Sequence, residues 1–396
     1  MSKNKYLFPL IVMASLFFLL GFITTMNNSM IDFLKDAFNL NDVQKQLPNS
    51  FFYGAYALSV PVAFVINRIG YKNGVLAGLL LIVIGFFLCI PMVAMGYIPF
   101  LVAVAVFALG VVLLQVAANP YVNALGSPET AASRLTLTNA LNSVATVIAP
   151  VFVSMLIVND TNDPTAVQKP FGIIGGITLL ILIIMFFLKL PEIKDDEGTG
   201  GEKKKYKSSA FKYPHVWLGS LAIFVYMGIE IGIPSFFADY SDKIGFSFTS
   251  QNRIDLLKYY WGGLMVGRLI GIFVLQKFTA RRILTLCAFG GAILVAASLA
   301  IGESAGTVAL WAFLGTGLFH SIMWPTIYNL ALEDLGPLAK VASGVISTSV
   351  IGAAILMPVM GAIQTVTGSV VAAISCLFIY YAYLVFFATK GSKIRT

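Results

Sequence analysis

Glu230 is the one carboxylate set deep inside an apolar segment of this chain, within Leu221–Tyr240 (LAIFVYMGIEIGIPSFFADY). A carboxylate near mid-membrane costs several kcal/mol unless it faces a cavity, a partner or an ion, so it marks a functional site by default. The chemistry open to it is the binding of a proton or a metal cation, either of which would remove a buried charge. The plainer alternative is a group held protonated or hydrogen-bonded between helices. Tyr226 lies one helical turn before it.

Other polar groups fall at helical spacings within apolar runs. Thr24 and Asn28 are i, i+4, with Asn27 beside them and Asp32 a turn further on. Gln115 and Asn119 repeat that spacing, and Asn139, Asn142, Ser143 and Thr146 form one stripe. His320 and Trp324 are again i, i+4, just before Pro325. Ser, Thr and amide side chains often join helices by hydrogen bonds of about 0.6 kcal/mol each, and Thr24, Ser143 and Thr146 suit that role. The amides also offer the paired donor and acceptor that sugar hydroxyls need, and the rings offer a flat face for sugar C–H groups. Gln115, Asn119, Asn142 and Trp324 are therefore candidate ligand contacts. His320 either carries a proton or hydrogen-bonds a backbone carbonyl. Arg268 is expected to snorkel toward the headgroups or to pair with a carbonyl.

These groups sit on elements that must be membrane helices. The 396 residues are 58% hydrophobic and 11% charged, against about 25% charged in soluble domains. A crossing needs about 20 apolar residues, and twelve runs qualify. In the first half they are Tyr6–Met30, Asn49–Ile66, Gly74–Met95, Ile98–Ala124, Leu135–Ile157 and Phe171–Leu190. The second half supplies Val216–Ala238, Leu256–Leu275, Ile283–Ile301, Val308–Leu332, Val341–Ile363 and Val370–Thr389. The expected architecture is an all-α membrane protein with twelve transmembrane helices in two pseudo-symmetric six-helix bundles. Residues 1–190 and 215–396 would form the bundles, and 191–214, with the run KDDEGTGGEKKKYK, a cytoplasmic linker.

With both termini inside, cytoplasmic segments hold 19 of the 26 basic residues and outer segments 6, Arg268 being within a span. This asymmetry predicts cytoplasmic termini. The net charge of +8 then reflects topology and lipid headgroup contact, with no nucleic-acid partner. The first run is too long for a signal-peptide core and lacks a small-residue exit, so no cleaved leader is expected. Cys89, Cys287 and Cys376 have neither disulfide nor metal spacing. No GxxxxGK[ST], HExxH or GxSxG motif occurs, so neither ATP hydrolysis nor another enzyme activity, nor a cofactor, is expected.

The halves also repeat. NRIGYKNG (Asn67–Gly74) and QKFTARRI (Gln276–Ile283) are basic turns about 209 residues apart, and Pro120 and Pro325 are 205 apart. Parallel six-helix repeats joined by a linker are a transporter layout.

The chain resembles the fucose:proton symporter and glucose/galactose transporter family of the major facilitators over almost its whole length. LGFITTMNNSMIDFLK, LLQVAANPYVNALGSPETAASRLTLTNALNS, FVYMGIEIGIPSF, YYWGGLMVGRLIG and SIMWPTIYNLALEDLG carry the likeness. The resemblance implies cation-driven uptake of a hexose or deoxyhexose by alternating access, in a monomer of the bacterial inner membrane. It implies sugar contacts among Asn28, Gln115, Asn119, Asn139, Asn142, Tyr226, Tyr260, Trp261, His320 and Trp324. Where fucose symporters have an Asp in span one and a Glu in span four, this chain has Asn28 and Gln115, which cannot titrate. Coupling is then left to Glu230, with Asp32 or His320 as helpers. A proton needs only one carboxylate, whereas sodium would draw further oxygens from around Thr24–Asn28, between Asn28 and Glu230. The alternatives are an uncoupled sugar facilitator and an exporter of amphipathic compounds.

Overall fold

Hydrocarbon offers no partner for backbone N–H and C=O groups, so an apolar chain closes its hydrogen bonds within each segment as helix. The computed structural model describes residues 6–30, 33–34, 37–40, 44, 47–157, 163–188, 209–246 and 250–394, and among them every regular element is helical. The central charged run of the expected linker, residues 191–208, lies outside the described residues, as does Asp32.

Among the described residues ten stretches are long and apolar enough to cross a membrane. One of these, Ala280–Leu332, is 53 residues long and turns back at the 3-10 turn Gly302–Ala305, so it crosses twice. A further helix, Ser250–Lys277, matches its neighbours in length but is more polar, carrying Lys258, Arg268 and Lys277. The fold therefore has twelve transmembrane helices.

In chain order the helices are α1 (Leu7–Ser29), α2 (Leu47–Gly54), α3 (Ser59–Ile69), α4 (Tyr71–Met95), α5 (Tyr97–Ala124), α6 (Ala131–Ile157), α7 (Gln168–Phe187) and α8 (Pro214–Lys243). They continue with α9 (Ser250–Lys277), α10 (Ala280–Ile301), α11 (Gly306–His320), α12 (Met323–Leu332), α13 (Ala339–Thr348), α14 (Gly352–Thr367) and α15 (Val370–Thr389). Three crossings are broken: α2 and α3 by a 3-10 turn at Ala55–Leu58, α11 and α12 at Ser321–Ile322, and α13 and α14 by a 3-10 turn at Ser349–Ile351.

The chain forms two compact units. The first comprises Met1–Gly126, Leu141–Tyr206 and Leu335–Thr348, and the second Ser127–Ala140, Lys207–Asp334 and Ser349–Thr396. Ser127–Ala140 thus counts with the second half of the chain and Leu335–Thr348 with the first. These two segments begin and end 208 residues apart, within the 205 to 209 spacing of the sequence repeat, so the exchange is itself symmetric.

In the first unit Phe86, Phe107 and Phe171 form an aromatic core, with centroids 4.9 to 6.0 Å apart. The exchanged helix α13 packs on α3 at Gly344, where an added Cβ would lie 2.6 Å from the Ser59 carbonyl oxygen. Only glycine permits that approach. In the second unit α6 begins against α9: Ser133 Oγ donates to the Ile272 carbonyl at 2.8 Å, and Gln276 Nε2 donates to Ser133 Oγ at 3.3 Å. Ala132, Leu275, Ile283 and Ile322 form a small apolar cluster there.

Candidate functional site

Proline lacks an N–H, so in a helix it frees the carbonyl four residues earlier. In lipid that oxygen needs another donor. Three span prolines follow this rule. Pro234 frees the Glu230 carbonyl, and the Tyr260 hydroxyl donates to it at 2.8 Å. Pro325 frees the Ser321 carbonyl, and Arg268 Nε donates to it at 3.0 Å. Pro120 frees the Val116 carbonyl, and Ser343 Oγ donates to it at 3.2 Å. Two of the three repairs assemble the polar centre of the second unit.

At that centre Arg268 Nη2 lies 3.7 Å from Glu230 Oε1, with the two side chains only 9% and 12% exposed. The Arg268 Nη1 atom donates to the Asn139 carbonyl at 3.2 Å. Arg268 does not snorkel, because its fork is filled by one carboxylate and two main-chain oxygens. Glu230 is accordingly not a lone buried charge. Protonating it would leave Arg268 unbalanced and would not empty the site of charge.

His320 lies just before the break between α11 and α12 and is fully buried. Tyr226 donates its hydroxyl to the His320 carbonyl at 3.1 Å. The ring itself meets two hydroxyls, Tyr260 at Nδ1 (3.0 Å) and Tyr381 at Nε2. Since the Tyr260 proton is committed to the Glu230 carbonyl, Nδ1–H must donate to the Tyr260 oxygen, and Nε2 accepts from Tyr381. A neutral imidazole satisfies every position in this chain. The expected choice between proton carrier and carbonyl partner is thus met by a third arrangement, two tyrosines. Trp261 stands edge-on to Tyr260, centroids 5.1 Å apart, and Trp324 stacks on Tyr328 at 5.0 Å and 13°.

In the first unit Tyr56 donates its hydroxyl to Gln115 Oε1, and Tyr53 stacks against Tyr56. Asn119 is fully buried, and neither its amide nitrogen nor its oxygen has a hydrogen-bond partner. An unsatisfied buried polar group costs about 1–3 kcal/mol, and among the described residues Asn119 is the amide with both ends unmet. Asn142 Nδ2 donates to the Phe17 carbonyl at 2.9 Å, where Gly21 lets α1 close upon it. Asn142 therefore joins α1 to α6. Asn139 Nδ2 donates back to the Leu135 carbonyl at 2.8 Å, and its main-chain oxygen reaches Arg268. Asn28 lies on α1, and its side chain is outside the described residues.

Residues 13–358 match the family model described as Major Facilitator Superfamily. The chain belongs to that superfamily. It is 40% identical over 401 residues to the glucose/galactose transporter of Brucella abortus (strain 9-941), covering 99% of this chain and 96% of that one. It is 28% identical to the L-fucose-proton symporter of Escherichia coli (strain K12), covering 100% of this chain and 95% of that one. The crystal structure of the major facilitator FucP in the outward conformation superimposes with a TM-score of 0.86 at 27% identity, covering 97% of this chain and 99% of that one.

As a major facilitator the protein is a multi-pass membrane transporter and not an enzyme. Within this fold the second unit brings together Tyr226, Glu230, Tyr260, Trp261 and His320 from the expected set. Sequence reasoning did not foresee Tyr381 and Tyr56 as partners. Tyr381 is one of three tyrosines in IYYAYL, and only the rotation of α15 distinguishes it. The Ser321 carbonyl was legible, four residues before Pro325.

Proposed function

We propose that this major facilitator is a monosaccharide symporter, importing a hexose or deoxyhexose by alternating access with a coupling cation, a proton in preference to sodium. Whole-length relatives named for glucose, galactose and fucose support this reading. The observation that carries it is the buried amide of Asn119, whose two unpartnered ends offer a sugar hydroxyl both a donor and an acceptor. Gln115 supports it too, since Tyr56 occupies its oxygen and no described residue takes Nε2.

In this reading Asn28, Gln115, Asn119, Asn139, Asn142, Tyr226, Tyr260, Trp261, His320 and Trp324 supply the sugar contacts, and Glu230, with Asp32, the coupling charge. The protein lies in the bacterial inner membrane as a monomer with both termini cytoplasmic, and residues 1–190 and 215–396 are the two six-helix halves. Purified protein in proteoliposomes is expected to accumulate labelled glucose, galactose or fucose under an inward proton gradient. Glu230→Gln should lose accumulation and keep counterflow. Full accumulation by that variant under both proton and sodium gradients would exclude Glu230 as the coupling group.

The Glu230–Arg268 pair favours one second reading, an uncoupled facilitator in which Glu230 is structural. It predicts counterflow without accumulation in the parent protein.

A further inference from the structure

We propose that Arg268 is a positioning residue that transmits the charge state of Glu230 to the exchanged segment Ser127–Ala140, holding the start of α6 against α9 while Glu230 is ionised. The proposal rests on Glu230 being the coupling group.

Arg268 is held at three points on three helices or their ends: the Glu230 carboxylate on α8, the Ser321 carbonyl freed by Pro325, and the Asn139 carbonyl on α6. Tyr226 on α8 donates its hydroxyl to the His320 carbonyl. Tyr260 on α9, His320 on α11 and Tyr381 on α15 form the neutral chain already described. Among the described residues Glu230 is the carboxylate that an ion pair joins to Arg268.

When Glu230 gains a proton or a cation, Arg268 keeps its charge and loses its counter-charge. A guanidinium does not deprotonate in proteins, and an isolated cation in a low-dielectric interior is costly. Its remedy is to move toward water or another anion, and that movement gives up the Asn139 carbonyl. The other ties between α6 and α9 are neutral bonds from Ser133 and Gln276, which water can replace at little cost. Arg268 thus supplies a charged link across this contact.

The repeat-related segment differs. Leu335–Thr348 is tied to the carbonyl freed by Pro120 through the Ser343 hydroxyl, which carries no charge. Among the described bonds of the two symmetric contacts, a charged group ties α6 to α9, whereas a neutral hydroxyl ties α13 to α5. This asymmetry assigns the control to α6 and α9.

The test measures the contact itself and needs no sugar. Cys89, Cys287 and Cys376 are replaced, and spin labels are placed at Thr130→Cys and Lys277→Cys, both exposed positions. Distances are read by pulsed electron paramagnetic resonance in lipid nanodiscs at pH 8. The parent should show one short-distance population, and Glu230→Gln should shift most of the protein to a longer one. Glu230→Gln/Arg268→Gln, which lacks the Arg268 tie altogether, should show the same longer distance. If Glu230→Gln does not fold, the parent at pH 5 replaces it: acid should lengthen the distance in the parent and leave the double variant unchanged. A Glu230→Gln distribution that superimposes on the parent overturns the proposal, as does a double variant that keeps the parent distance. Sugar accumulation is measured separately. Accumulation with an unmoved distance refutes the Arg268 link alone, whereas a moving distance without sugar uptake refutes the transport reading alone.

Discussion

The Arg268 guanidinium lies 3.7 Å from the Glu230 carboxylate inside the second unit, and both side chains are shielded from solvent. The pair is neutral as a whole. A coupling proton on Glu230 would therefore create a net positive charge in the site, the reverse of what a lone carboxylate would do. Any coupling scheme must provide for Arg268 as well as for Glu230.

Breaking such a pair from one side should cost more than removing it. Loss of one partner of a buried ion pair typically costs about 3–5 kcal/mol, whereas replacing both can be nearly neutral. Arg268→Gln is expected to lower the unfolding midpoint markedly in detergent, and the Glu230→Gln/Arg268→Gln double variant to recover most of the loss. Thermal unfolding of the four proteins, parent, two singles and double, forms the cycle that checks it. Additive losses would mean that the two charges do not interact.

His320 should prove to be a structural hydrogen-bonding centre. Its neutral ring takes the Tyr381 proton at Nε2 and gives its own to Tyr260, and the chain ends at the Glu230 main-chain carbonyl. That carbonyl cannot relay a proton to the carboxylate. Tyr381→Phe leaves Nε2 without a partner and should destabilise by about 1–3 kcal/mol. The pH profile of uptake should keep its shape in this variant. A displaced profile would show that His320 exchanges protons during transport.

These relationships mark the limit of what sequence could tell. Glu230 was legible because no other acid lies deep in an apolar run, and the crossings were legible because runs of that length have no other use in lipid. Pro120, Pro234 and Pro325 each name, four residues back, a carbonyl that needs a donor. The donors themselves were not legible. Ser343, Tyr260 and Arg268 are 53 residues or less from their acceptors in two cases and 227 in the third. Which of them arrives depends on how each helix is rotated about its axis. The same rotation turns the Asn142 amide onto the Phe17 carbonyl, so that a residue read as a sugar contact also joins two helices.

At the end of α8 the exposed pair Lys243–Glu303, 2.8 Å apart, ties that helix to the turn between α10 and α11. The hydrogen bond from Lys243 and its charge hold the Glu303 carboxyl below its usual range, and the same contact raises Lys243. A depressed carboxyl stabilises the fold above its unfolded-state pKa, and that gain is lost as pH falls through the folded value. A raised ammonium stabilises below the ordinary lysine pKa and loses its gain as pH rises through the raised value. Lys243→Gln should therefore melt slightly lower than the parent at neutral pH, and the gap should close in acid and in high salt, because both side chains are solvent-exposed. A gap that persists in molar salt would mean that the contact is not electrostatic.

Asn119 provides the sharpest separation of stability from function. Both ends of its buried amide lack partners, a state that costs about 1–3 kcal/mol in the ligand-free protein. Leucine has nearly the same volume and no polar atoms, so Asn119→Leu should raise the unfolding temperature. If the amide is kept for a sugar hydroxyl, the same substitution should remove the thermal shift that hexoses give the parent, because a site built to hydrogen-bond a hydroxyl discriminates strongly once the bond is gone. Such an exchange of activity for stability is the usual mark of a strained functional residue. A variant that is less stable and still binds sugar would place Asn119 among the packing residues and leave Gln115 as the amide to test.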